Sequence, residues 1–243
     1  YKSGVALGEY GNIPNARGII SLLLFQAGTP ISSLAEGSVR AALVQSGAGS
    51  LGGTSPAESA LSFYTQFADP AKTVYSWNRA LPNARQAFIA GDLALYIGFA
   101  SESAFLAAAN PNLDFDMAKV PQPSVSQFRS TYGKAYVFAI PKASGNAAGA
   151  LQVARAMTAK EEAVRAARLL SMAPAQRALL TPPSNERFPA VFYSEALVAK
   201  GWLSPLPATT DRIFADMIGD ITSGRLSVRD ALERANQALD ASF

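Results

Sequence analysis

The chain has 243 residues, 49% of them hydrophobic and 16% charged, enough apolar content to bury a core in one large or two small domains. The net charge is +3, but lysines and arginines are scattered with no basic block, so nucleic-acid binding, which needs clustered positive charge, is not expected. There is neither cysteine nor histidine, which excludes thiol catalysis, zinc held by Cys/His ligands and a histidine general base.

The chain opens at Tyr1 without Met or a signal-type segment, and it is read as a large fragment of a longer protein. Its longest apolar run, Gly18–Phe25, is too short to span a bilayer. "GNIPNARGIISLLLFQAGTPI" predicts a helix with Asn12 as a possible N-cap, Pro14 in the first turn and Ala27-Gly28 at its end. Its almost continuous apolar positions from Ile19 to Phe25 require burial on most sides. "SVRAALVQ" fits a short strand, and the Gly/Ser-rich "SGAGSLGGTSP" a surface loop. That loop lacks the Gly-Lys-Ser/Thr of a phosphate-binding loop.

Ser55 with Glu58 predicts a capped helix over "PAESALSFYTQFA". "DPAKTVYSWN" reads as a loop, and "ALPNARQAFIAG" as a helix closed by Gly91. "LALYIGF" is expected to be a buried strand and "FASESAFLAAAN" a helix. "LDFDMAKVP" alternates like a strand, and "TYGKAYVFAIPK" reads as a central strand, apolar on both faces. Beyond Pro141 the pattern is helical. One or two helices fill "NAAGALQVARAMTAKEEAVRAARLL", with Thr158 as a cap between them. Further helices are expected over "APAQRALL", "PAVFYSEALVAKG", "TTDRIFADMIGDITSG" and, capped by Ser227, "SVRDALERANQALDAS". The class is α/β, with strands early and helices late.

The order of these motifs carries a resemblance. "F-x-x-G-D-x-A-L-x-x-G" is followed by "F-D-M-A-K-V-P-Q-P", "Y-G-K-A-Y-V-F-A-I-P-K-A-S-G-N" and a closing "L-S-V-R-D-A-L" helix. Over roughly residues 56–243, and more loosely before, this resembles the extracellular solute-binding proteins of ABC importers, in the sugar-binding, maltose-binding-protein-like branch. Leu95 stands where that family usually has Met, and Phe99 where some members place Pro-Trp. The early part of the family's N-terminal lobe has no counterpart, so half of the ligand cleft is expected to be missing. The resemblance implies a type II periplasmic-binding-protein-like fold with two lobes and a hinge near Ala139–Lys142. The expected division is 1–138 for the ligand-binding lobe, 139–205 for the rest of the second lobe, and 206–243 for helices returning to the first. It also implies a carbohydrate-like solute, ABC permease subunits as partners, a monomer, and a location outside the cytoplasm, periplasmic or lipid-anchored. No cofactor, metal or catalytic group is expected.

Sugar sites set aromatic faces against ring C–H surfaces and read hydroxyls with planar polar groups. Trp77, in a loop, either lines such a cleft or covers the end of a helix pair; Asn78 beside it either contacts ligand or caps the next helix. Phe99 follows a strand-ending glycine at the edge where α/β sheets place ligands, with packing under the next helix as the alternative. Ser101 and Glu102 lie in that helix's first turn, where Glu102 could equally serve the helix dipole. The resemblance places Tyr132, Lys134 and Tyr136 at a cleft-lining turn. Gln26 is a polar end to an apolar helix. Thr209, Thr210, Asp211 and Arg212 stand where sugar binders often carry a stacking aromatic, which makes Asp211 a polar candidate. The rival readings are a hydrolase using Asp114 and Asp116, a cofactor-free isomerase, or a helical interaction module without a small ligand. "LDFDM" is more simply explained by apolar-in, polar-out alternation.

Overall fold

The structure, a computed structural model, describes residues 2–44, 53–124, 129–181, 186, 188–204 and 206–243. The Gly/Ser-rich loop expected around residues 46–56 falls largely outside them. Two compact units are present: unit 1 comprises Tyr1–Gly98, Gln122–Tyr132 and Trp202–Phe243, and unit 2 comprises Phe99–Pro121 and Gly133–Gly201. These breaks fall elsewhere than the division expected from the sequence, because residues 99–121 and 133–138 pack with unit 2.

In unit 1, β1 (Ser3–Val5) pairs in parallel with β4 (Leu93–Leu95), Ser3 opposite Leu93 and Val5 opposite Leu95. β2 (Ser32–Ala35) and β3 (Ser38–Ala41) form an antiparallel hairpin. Its turn uses Glu36 and Gly37 at positive φ, 50° and 80°. α1 (Ala16–Gln26) buries Ile19, Ile20, Leu22 and Leu24. It starts later than the sequence suggests, with Asn15 and not Asn12 in the capping position. The chain from Tyr10 to Ala16 is instead a pair of turns, Ile13 N–H to Tyr10 C=O and Ala16 N–H to Ile13 C=O.

α2 (Pro56–Thr65) begins as expected, the Ser55 hydroxyl accepting from Glu58 N–H at 3.1 Å. α3 (Ala84–Ile89) ends where Gly91 takes φ +78°, a conformation that costs a side-chain-bearing residue about 1 kcal/mol or more. α8 (Pro207–Thr222) and α9 (Val228–Asp240) complete the unit, α9 capped by Ser227. Phe214, Met217 and Ile218 of α8 and Leu232 and Leu239 of α9 join α1, Leu61 and Tyr64 of α2, and Leu93 in one core. Two α9 side chains also serve the backbone after β2: Asp240 accepts from Ala41 N–H and Asn236 from Leu43 N–H, each at 2.9 Å.

Unit 2 holds α4 (Ser103–Ala109), entered through a 3-10 turn at Ala100–Glu102, then α5 (Ala147–Met157), α6 (Lys160–Leu169) and α7 (Pro189–Ala196). Four expectations need correction here. Thr158 ends α5 and does not start α6; its hydroxyl turns back to the Ala154 carbonyl at 2.9 Å. "APAQRALL" yields only a 3-10 turn, Arg177–Leu179. "LDFDMAKVP" is not a strand. Leu113, Phe115 and Met117 are still less exposed than Asp114 and Asp116 between them, but among the described residues no neighbouring strand completes a ladder. Of "TYGKAYVFAIPK", only β5 (Thr131–Tyr132), in unit 1, is a paired strand, and the apolar residues after it are open to solvent.

The core of unit 1 gives a direct test. Phe214 is fully buried and stacks on Trp202 with ring centroids 6.0 Å apart. Phe214→Ala should therefore cost about 3–5 kcal/mol, read as a lower urea midpoint with little change in slope.

Candidate functional site

Between β1 and α1 the backbone is pinned at two ends. Gly8 has φ +96°, and a Cβ there would lie 2.6 Å from the Ala68 nitrogen, so only glycine fits. Asn12 then donates from Nδ2 to the carbonyls of Asn78 and Leu81, at 2.8 and 3.0 Å, while its own carbonyl accepts from Ala84 N–H at 2.8 Å. Asn15 reaches the Tyr96 hydroxyl at 2.9 Å, which Arg85 Nε also approaches at 3.3 Å. These bonds fix a short polar segment that carries Tyr10 and Arg17.

Arg17 lies in the first turn of α1 with its side chain only 18% exposed. Its Nε is 3.4 Å from Asp211 Oδ1, and one of its terminal nitrogens donates to the Pro207 carbonyl at 3.2 Å. The Tyr10 hydroxyl donates to the same Asp211 oxygen at 2.7 Å. Asp211, near the start of α8, stays half exposed at 49%. Tyr132, at the end of β5, lies against Phe25 with centroids 6.4 Å apart.

Burial lifts the Tyr10 phenol far above its ordinary range, and the hydrogen bond and charge of Asp211 lift it further. Tyr132 is raised in the same direction, chiefly by burial, with Arg17 opposing and Asp211 adding. Both phenols are therefore neutral at physiological pH. The result is a compact polar-aromatic group: two neutral phenols, one guanidinium and one carboxylate, each held by its neighbours and partly open to solvent. It can accept and donate hydrogen bonds to a polar solute while offering ring surface, which is the chemistry that hydroxyl-rich ligands need.

Tyr132 and Asp211 are the predicted residues that this group contains; Tyr10 and Arg17 were missed. Arg17 leaves a signal, being the single charge inside an otherwise apolar helix. Tyr10 leaves none, because nothing local marks an aromatic followed by Gly-Asn as a partner for a residue 201 positions away. Gln26 lies nearby in sequence to Phe25, and its amide approaches the Ser130 carbonyl at 3.5 Å. Trp77 is a correction: it is 2% exposed and belongs to the unit 1 core, so it offers no face to a ligand. Asn78 is half-buried and shapes its own turn, its Oδ1 accepting from Ala80 N–H at 2.8 Å.

The other candidates lie in unit 2. Glu102 reaches back to Phe99 N–H at 2.9 Å and so caps its own helical turn. Lys134 Nζ sits 4.6 Å from the centre of the Phe99 ring, a cation–π pair. Ser101 and Tyr136 are exposed. Asp114 and Asp116 are exposed, and among the described residues no cluster of potential metal ligands occurs. No helix among the described residues is long and apolar enough to cross a membrane.

With fold and site in view, comparison places the chain in a class. The family described as bacterial extracellular solute-binding protein matches residues 12–192, and the chain belongs to that family. Solved structures share its periplasmic-binding-protein-like fold. A cyclo/maltodextrin-binding protein, solved with maltotetraose, is 16% identical with a TM-score of 0.69 over 98% of this chain. The cyclic alpha-maltosyl-1,6-maltose binding protein from Arthrobacter globiformis is 20% identical with a TM-score of 0.68 over 99%. The GacH receptor of Streptomyces glaucescens, solved unliganded and with acarbose, is 14% identical with a TM-score of 0.59 over 99%. The chain spans 58%, 59% and 60% of those three structures. No curated protein sequence matches it. The family and these neighbours are binding proteins, not enzymes.

The raised phenols predict the alkaline limb of stability. Below about pH 10 both tyrosines are neutral in folded and unfolded chains, so they add no slope. Above it the unfolded chain loses these protons first, and stability falls as pH rises towards the elevated folded values. Urea midpoints should be level for these groups from pH 7 to 9 and drop above 10, with a shallower drop in Tyr10→Phe.

Proposed function

We propose that this chain captures a carbohydrate or a similar uncharged, hydroxyl-rich solute, without converting it, as the binding component of an ABC importer. The observation that carries this reading is the Tyr10–Asp211–Arg17 arrangement beside Tyr132. Arg17 and Asp211 neutralise each other, so the group has little net attraction for an ionised ligand. Their partly exposed donor and acceptor atoms suit neighbouring hydroxyls instead. The bound maltotetraose and acarbose of the solved neighbours support the same chemical class.

In this proposal Phe99, Ser101, Glu102, Lys134 and Tyr136 of unit 2 supply further contacts, and the hinge lies where the chain passes from one unit to the other, at 98/99, 121/122, 132/133 and 201/202, and not near Ala139–Lys142. The captured solute would be delivered to membrane permease subunits by this protein, a monomer working outside the cytoplasm, periplasmic or lipid-anchored. The family match favours this reading over the alternative of a hydrolase built on Asp114 and Asp116.

Calorimetry of the full-length protein against a panel of malto-oligosaccharides and monosaccharides tests the reading, and this chain alone should bind weakly or not at all. Saturable binding is expected with the sugar recovered unchanged, and release of a hydrolysis product would overturn it. Arg17→Ala and Asp211→Ala should each weaken binding by about tenfold to a hundredfold, since a hydrogen bond to a charged group contributes about 1.5–3 kcal/mol. Trp77→Phe, altering a core residue, should lower the melting temperature and leave affinity near that of the parent.

A further inference from the structure

The stretch that carries Tyr132 is held by one polar side chain. Gln122 is half-buried, although Pro123, Ser124 and Arg129 are exposed. Its primary amide meets both backbone groups of Ser130. Oε1 accepts from Ser130 N–H at 3.0 Å, and Nε2 donates to the Ser130 carbonyl at 3.1 Å. Facing residues of an antiparallel ladder exchange this same pair of bonds, so the Gln122 side chain stands in for a strand partner. Ser130 is only 1% exposed, which leaves water little access to those two groups. From the end of α1, the Gln26 amide approaches the same carbonyl at 3.5 Å.

Tyr132 lies two residues beyond this clamp. Its ring rests against Phe25, and the charges of Arg17 and Asp211 both reach its phenol. All of these residues belong to unit 1, in which Gln122 opens and Tyr132 closes one continuous stretch. Apolar contact with Phe25 attracts the ring without fixing its direction, whereas hydrogen bonds to a buried peptide are directional. The amide clamp therefore decides where along Phe25 the phenol comes to rest.

We propose that Gln122 is a positioning residue of the solute site: through Ser130 it sets the place of the Tyr132 ring without itself touching the solute. The inference rests on reading the group around Tyr10 and Asp211 as that site.

The test labels the full-length protein with 3-fluorotyrosine and follows it by fluorine NMR, with Tyr132→Phe and Tyr10→Phe assigning the resonances. In Gln122→Ala the Tyr132 resonance should shift or broaden while that of Tyr10 stays in place. The Kd for the sugar of the panel that the parent binds most tightly should rise about tenfold. Gln122→Glu adds a signature that general destabilisation does not give. Its carboxylate still accepts from Ser130 N–H but has no proton for the Ser130 carbonyl, and protonation supplies one. Resonance position and affinity should therefore return towards the parent's as pH falls below about 5. The parent's own pH profile is the control, because Arg17 and Asp211 face Tyr132 in both proteins.

An unmoved Tyr132 resonance in Gln122→Ala would overturn the proposal, and so would a moved resonance with unchanged affinity. Collapse of the Tyr10 resonance as well, in both variants and at both ends of the pH range, would make Gln122 a support of the whole unit and overturn it too. If the parent binds no sugar while the resonances move as expected, the solute reading fails and the placement of Tyr132 by Gln122 stands.

Discussion

The structure of unit 1 depends on the burial of α1. A helix whose Ile19, Ile20, Leu22 and Leu24 all leave water cannot sit on one partner; it has to be surrounded. At about 1.5–3 kcal/mol for each large side chain removed from water, these four positions outweigh any local propensity in the unit. They draw in α2 and also α8 from nearly 200 residues downstream. Even the one buried hydroxyl of α1 conforms: Ser21 is fully buried and accepts from the Trp202 indole at 3.1 Å. That bond anchors the returning segment immediately before α8.

The candidate site is a by-product of the same packing. Once α8 lies near α1, its first turns come beside the N-terminal turn of α1, and the charges at those two ends meet. Arg17 and Asp211 then neutralise each other, and Tyr10 adds a donor that orients the carboxylate. The clamp made by Asn12 holds this segment against the loop before α3. A binding surface on rigid helix ends, held by bonds that do not involve the ligand, loses little entropy when a solute arrives.

Sequence patterns were legible where local chemistry decides them. Ser55, Gly91 and Ser227 mark helix ends by hydrogen bonds or φ values formed within a few residues. They failed where a distant partner decides. Trp77 has no helical periodicity, so a loop tryptophan looked available to a ligand, yet the core closes over it. "YVFAI" has every local property of a central strand, and it is still unpaired, because a strand is defined by its neighbours. The order of weak motifs was a better guide than any one of them, since it reports the whole topology. The family match over residues 12–192 agrees with it.

The amino-acid sequence by itself determined the helix boundaries set by caps and glycines, the apolar faces, the absence of thiol and imidazole chemistry, and the resemblance to solute-binding proteins. Each of these depends on residue type and on spacing along the chain. Tertiary structure alone decided that Tyr10 and Arg17 share Asp211, that Trp77 is core, and that unit 2 exposes an unpaired apolar ribbon. Those outcomes depend on which surfaces meet across large sequence separations, and hydrophobic burial is non-directional, so no short stretch of sequence encodes its own partner.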